Sequence, residues 1–377
     1  MTNDSDCTVF TLTDDQREFR STVRAFLEHH SPESEVRRVM ESDSGFDSAI
    51  WQAMADQLRL QGLIIPEGYG GEGFGFTELG MVLEEMGRAL VPGPYFTSAV
   101  LTAVALLCSG DDDACKRYLP GIASGETIAT LALTERSGRW DRDGIGTTAR
   151  QSGVGWILRG AKHYVPAGFI ADLVLVVART DSDTIGLFAV ENTDDLVRRE
   201  QSSLDPTRRQ AVVEFAGTAA VRIGGEDAWP GLSRALSQAT AALANEQVGG
   251  AQRCLDQAVS YVKVRTQFGR AVGSFQAIRH RCADLMLDIE CARGVAQYAV
   301  HAIDHFPAEF EPAAALAKAY CSDVYARAAA ANIQLHGGIG FTWEHPAHMY
   351  FKRAKSSAML LGDAGYHRGL LADSIGV

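Results

Sequence analysis

The hydrophobic pattern changes period twice along this chain, and that restricts the fold more than any single residue does. Up to about residue 125, apolar residues recur at helical spacing, as at Phe19, Val23, Phe26 and Leu27. From Thr127 to about Ile223 the apolar runs are short, β-rich and separated by polar turns. Beyond Pro230 the 3.6-residue period returns and persists almost to the end. Each apolar stripe needs a partner layer, so this order predicts an α+β architecture. The expected parts are an N-terminal helical domain over 1–125, a middle β-barrel-like domain over 126–228 and a C-terminal four-helix bundle over 229–377.

Local signals sharpen these limits. Thr13-Asp14-Asp15-Gln16 reads as a capping box that starts the first helix. Further helices are expected over Ser48–Leu60, Thr77–Leu90 and Thr97–Cys108, with Gly- and Pro-bearing loops at 66–75 and 91–94. Strands are expected over Thr130–Thr134, Gly155–Arg159, Ala171–Ala178, Thr184–Val190 and Ala211–Phe215. Four long helices follow, over Leu236–Val264, Ser274–Phe306, Glu311–His336 and Phe351–Ser374.

Composition removes several function classes. Asp plus Glu is 47 against 35 Lys plus Arg, and a net charge of −12 repels phosphate backbones, so no nucleic-acid partner is expected. The seven cysteines are scattered without a C-x-x-C pair, which argues for reduced thiols and against a disulfide framework or a metal site. The opening MTNDSDCTVF carries no basic residue, and the longest apolar run, Ala99–Cys108, is half of the ~20 residues a membrane helix needs. A cytoplasmic protein with no membrane segment is expected, and the Asn3-Asp4-Ser5 sequon is noise. Gly68 to Gly73 spells G-x-G-x-x-G, but it follows a helix and Pro66 rather than a strand, so it reads as a flexible loop.

Four segments carry more information: P-E-G-Y-G-G-E-G-F-G-F-T-E (Pro66 to Glu78), L-A-L-T-E-R-S-G (Leu131 to Gly138), R-T-Q-F-G (Arg265 to Gly269) and Q-L-H-G-G-I-G-F (Gln334 to Phe341). In this order, on helical, β and helical domains, they resemble the acyl-CoA dehydrogenase family over nearly the whole chain. The resemblance implies FAD as cofactor, an acyl-CoA thioester as substrate, introduction of an α,β double bond, and an electron-transfer flavoprotein as electron acceptor. It implies that Thr134 meets the flavin edge and that Tyr164 neighbours the ring. Arg265 would offer a forked cation to the pyrophosphate, Gln267 and Phe268 would line the same place, and Gln334 with Gly337 and Gly338 would let backbone approach the adenosine end. Family FAD sites are shared between chains, which implies a homotetramer or a heterotetramer with a related chain.

The departures from the family pattern concern chemistry. Arg139-Trp140-Asp141 stands where many members read G-S-D, placing an indole near the acyl-CoA path, and Pro166 replaces a hydroxyl donor beside the flavin. The reaction needs a carboxylate against the α-carbon. The family's common slot for it holds Leu361, and the alternative slot on the long helix holds Ala239. Glu246, two turns beyond Ala239, faces Ala242, Leu243, Gly249 and Gly250, so burial there is expected to raise its pKa and make it a base. The other reading is an ion pair with a neighbouring chain's Arg, or an exposed Glu. The surrounding A-N-E-Q-V-G-G-A-Q-R is similar to an actinobacterial subgroup acting on bulky, often steroid-derived acyl-CoA, with the base on this helix.

Two further roles are implied. In the family the backbone N–H at the C-terminal base position binds the thioester carbonyl, and Leu361 keeps that N–H. Asp363 caps the last helix or touches FAD. Three alternatives stand beside the dehydrogenase: an acyl-CoA oxidase, a flavin monooxygenase, and a non-catalytic subunit of a hetero-oligomeric acyl-CoA dehydrogenase, since both usual base slots are empty.

Overall fold

A computed structural model describes residues 12–153, 155–191 and 196–377; the Asn3 sequon and Cys7 lie outside them. The capping box at Thr13 forms: its Oγ1 accepts the Gln16 N–H at 3.1 Å and Gln16 Oε1 accepts the Thr13 N–H at 3.0 Å, starting α1 (Asp14–His30). Then come α2 (Glu33–Met40), α3 (Ser48–Leu58) and α4 (Phe76–Ala89). The helix expected over Thr97–Cys108 begins as a π-helical stretch, Phe96–Thr102, and tightens into α5 (Ala103–Leu107); α6 (Asp112–Ala123) closes the helical part. Leu63, Leu83, Val100 and Leu119, all almost wholly buried, share its core.

Strands β1 (Ala129–Ala132), β2 (Thr148–Ser152), β3 (Gly155–Pro166), β4 (Leu173–Thr180), β5 (Ile185–Val190), β6 (Val197–Gln201) and β7 (Gln210–Ile223) form one sheet. Its order is β1-β4-β2-β3-β7-β5, and β5 pairs back to β4, so the sheet closes on itself around Val174, Val176, Phe188 and Phe215. Closure explains why β4 and β5 read as unbroken apolar runs: both are covered on two faces.

The C-terminal part is built on α7 (Trp229–Val264), which packs against α4, α8 (Gln276–His305) and α9 (Phe310–His336). A short hairpin, β8 (Thr266–Gln267) and β9 (Arg270–Ala271), links α7 to α8. α4 and α7 cross backbone to backbone. A Cβ on Gly249 would stand 1.8 Å from Glu84 O, and one on Gly87 would stand 2.0 Å from Glu246 O.

The single helix expected over Phe351–Ser374 is two: α10 (Ala347–Met359) and α11 (Ala364–Ser374). Between them Leu361 sits at φ 62° and Gly362 at φ 99°. A Cβ on Gly362 would lie 2.3 Å from Tyr366 Cδ1, so only glycine makes the turn. No helix among the described residues is long and apolar enough to cross a membrane.

Candidate functional site

Glu246 is buried on α7, as its small neighbours require, but it is not alone. Arg208 Nη2 donates to both of its oxygens, at 2.5 and 2.7 Å, and Arg353 Nη1 donates to Oε1 at 2.8 Å. Arg353 also donates from Nε to Asp205 Oδ2 at 3.0 Å, which completes two buried acids against two buried guanidiniums. Burial alone would raise the Glu246 pKa; the two guanidiniums outweigh it and hold the carboxyl below the usual range. The expected raised pKa is therefore corrected. A carboxylate that accepts three charge-assisted hydrogen bonds is a poor proton acceptor and a strong anchor.

The anchor joins distant segments. Asp205 and Arg208 lie between β6 and β7, Arg353 and Ser357 lie on α10, and Arg353 Nη2 reaches Val91 O, just past α4, at 3.0 Å. Arg208 Nη1 donates to Ser357 Oγ at 2.9 Å.

Leu361 and Ala239, in the two slots where the family resemblance put a base, are both buried in one apolar cluster with Leu133 and Leu243. Leu361 also lines a cavity of about 90 Å³ with Trp140, Trp229, Thr240 and His367. A leucine at positive φ costs of order 1–3 kcal/mol and persists only where neighbours fix it. Here they do: His367 Nε2 donates to Leu361 O at 2.8 Å, and Lys318 Nζ donates to Gly362 O at 2.9 Å and Ala358 O at 3.1 Å. Burial pushes the Lys318 pKa down to about 7, and burial with the Lys318 charge pushes His367 down to about 4. Asp363 caps α11, its Oδ1 accepting the Tyr366 N–H at 2.8 Å.

Thr134 and Tyr164 come together at the edge of the β domain. Thr134 Oγ1 donates to His163 O at 2.7 Å, leaving its own lone pairs free for a donor. Buried Lys162 fixes the segment after β1 that carries Thr134, donating to Leu133 O and Glu135 Oε1, both at 2.8 Å. Tyr164 stands half-buried at φ 56°.

The remaining predicted residues gather elsewhere, at the far ends of α7 and α9. Arg265, Gln267, Phe268, Gln334, Gly337 and Gly338 are all exposed, Phe268 by 91%. The Arg265 guanidinium has no ion-pair partner among the described residues, and a Cβ on Gly337 or Gly338 would meet open space. Tyr261 and His336, rings 4.4 Å apart, bind the two helix ends together.

Arg208, Arg353, Lys318 and His367 were not singled out from sequence. Lys318 did leave a signal: Ala314, Ala315, Cys321 and Ser322 surround it at helical spacing, a face of small residues with one cation in it. His367 left none.

Matches to known proteins follow the same division. Acyl-CoA dehydrogenase N-terminal, middle and C-terminal domains match residues 13–126, 130–222 and 229–376. The chain belongs to the acyl-CoA dehydrogenase family, FAD-dependent oxidoreductases that act on the CH–CH bond of acyl-CoA thioesters. It is 36% identical to acyl-CoA dehydrogenase IpdE2 of Mycobacterium tuberculosis over 93% of this chain and 94% of that one. Among solved structures, a variant of the Tcur3481-Tcur3483 steroid ACAD superposes with a TM-score of 0.87 at 31% identity, covering 97% of this chain and 98% of the other. The ChsE4-ChsE5 complex from Mycobacterium tuberculosis superposes with a TM-score of 0.88 at 27% identity, covering 97% and 98%.

Proposed function

We propose that this chain is one half of a two-chain acyl-CoA dehydrogenase, in which a related chain supplies the carboxylate that takes the α-proton. The observation that carries this is the Glu246 carboxylate, fully engaged by Arg208 and Arg353, while Leu361 and Ala239 fill the other two slots. Leu361 and Ala239 carry no group that accepts a proton, and the Glu246 carboxylate, held ionised by two guanidiniums, is a weak base for an α-carbon proton.

The cofactor residues fit the same reading. Arg265, with Gln267, Phe268, Gln334, Gly337 and Gly338, would hold the pyrophosphate and adenosine end of FAD, while Thr134 and Tyr164 face the flavin end. FAD supplies the hydride acceptor. At a rise of roughly 1.5 Å per residue, α7 separates Ala239, in the apolar cluster with Leu133, from Arg265 by about 39 Å, too far for one extended FAD to touch both ends of one chain. Arg265 therefore serves a neighbour's flavin. The exposed Phe268, three residues after Arg265, and Phe341, three residues after Gly338, 91% and 82% accessible, are apolar surface that such a neighbour would cover.

In this chain's own slot the Leu361 N–H keeps the electrostatic half of the job, a hydrogen bond to a thioester carbonyl oxygen, without the proton half. Relatives whose names join two components, and one called a steroid ACAD, support a bulky acyl-CoA and a heterotetramer with a related chain. An electron-transfer flavoprotein completes the cycle. Light scattering with flavin quantitation tests the shared site. Flavin should be retained only by assembled protein, and a stable monomer carrying FAD would refute it.

A further inference from the structure

The turn between α10 and α11 is held by two side chains, one from α9 and one from α11 itself. Lys318 projects from α9 and is wholly buried, with no carboxylate partner among the described residues. Its three donors go to Ser322 Oγ at 3.1 Å, Ala358 O at 3.1 Å and Gly362 O at 2.9 Å. An ammonium in such a place is costly unless each N–H is satisfied, and here each one is. His367, on α11 and also buried, reaches back to Leu361 O at 2.8 Å. Because a carbonyl only accepts, this contact fixes the Nε2–H tautomer; Nδ1 then carries the lone pair and meets no donor among the described residues.

Three carbonyls at the end of α10 and in the turn, those of residues 358, 361 and 362, thus accept from these two side chains. The amides divide differently. Leu360 N donates to Ser356 O at 3.1 Å and Gly362 N donates to Met359 O at 3.2 Å, whereas the Leu361 N–H between them has no acceptor among the described residues. An uncommitted N–H on a buried residue fixed at positive φ, beside a cavity lined by Leu361, Thr240 and Trp140, is an arranged donor rather than a frayed end.

We propose that Lys318 and His367 are positioning residues, which hold the α10–α11 turn so that the Leu361 N–H is presented to the carbonyl oxygen of a bound thioester. This rests on the reading of Leu361 given above. The cavity of about 90 Å³ beside it has room for a short acyl group, so acetyl-CoA, which has no β-carbon to oxidise, serves as the probe.

The test uses the flavin-bearing protein with its related chain and acetyl-CoA carrying a 13C label at the thioester carbonyl. Infrared difference spectra of the wild type should show the labelled carbonyl shifted to lower frequency on binding. His367→Phe, which removes the donor, should lose this chain's share of the shift, about half of the bound signal, while keeping its flavin content. His367→Gln, which can donate to the same oxygen, should restore it. Lys318→Met should behave as His367→Phe does, and if it fails to fold the His367 pair decides. A His367→Phe protein that keeps the full shift overturns the positioning role and leaves the Leu361 reading standing. A wild type without any shift overturns that reading, and the positioning role with it.

Discussion

Replacing Glu246 by Gln separates an anchor from a base. The carboxylate accepts from Arg208 at 2.5 and 2.7 Å and from Arg353 at 2.8 Å, and all three residues are buried. An amide keeps the shape but removes the charge and turns an N–H₂ group towards guanidinium donors. Asp205 is then the one acid left against two cations. Breaking a buried ion pair from one side costs about 3–5 kcal/mol, because the remaining charge is stranded. At roughly 2 °C per kcal/mol for large domains, the melting midpoint should fall by about 6–10 °C. Replacing Glu246 and Arg208 together by Leu and Met should recover part of the loss. The assay is a thermal melt followed by tryptophan fluorescence, paired with anaerobic flavin reduction by acyl-CoA in the assembled protein. An unchanged melt with reduction slowed by ~10²-fold or more would refute the anchor and return Glu246 to the role of base.

Three other outcomes follow from the geometry. Arg265→Ala should weaken FAD binding by about 1.5–3 kcal/mol, roughly ten- to hundred-fold, read as flavin content after gel filtration. Gly362→Ala should destabilise the fold by about 2–4 kcal/mol, because its Cβ would stand 2.3 Å from Tyr366 at φ 99°; a urea midpoint equal to wild type contradicts this. His367 should confer acid lability. Its pKa of about 4 in the fold lies below the ~6.5 of an unfolded chain, so the unfolded state binds the extra proton between those values. Stability is then full above about pH 6.5 and falls by up to ~3 kcal/mol as pH drops towards 4, a slope that His367→Gln should remove in urea titrations at pH 7 and 4.5.

The elements were legible where one apolar period runs unbroken. α8 and α9 were expected within two residues of Gln276–His305 and Phe310–His336, and α7 ends at Val264 as expected but starts two turns earlier, at Trp229 rather than Leu236. The division of the last helix was hidden because apolar residues continue at helical spacing through Leu360 and Leu361, although Gly362-Asp363 spelled a stop and a cap. β2 and β6 were missed for the opposite reason: Thr148–Ser152 and Val197–Gln201 are polar, mostly exposed strands. The environment of Glu246 was half legible. Its apolar face and its burial follow from residues three and four positions away, but its partners Arg208 and Arg353 lie 38 and 107 residues distant in the sequence. A carboxylate judged from its own helix looks unpaired, and an unpaired buried carboxylate has a raised pKa; long-range pairing reverses the sign.

Anaerobic addition of a bulky acyl-CoA to the flavin-bearing protein tests the division of labour most directly. With the related chain present the flavin should bleach within the mixing time of a slow titration, and it should bleach no faster than background when that chain's carboxylate is replaced by its amide. Rapid bleaching by this chain alone, with no related chain present, would contradict the account.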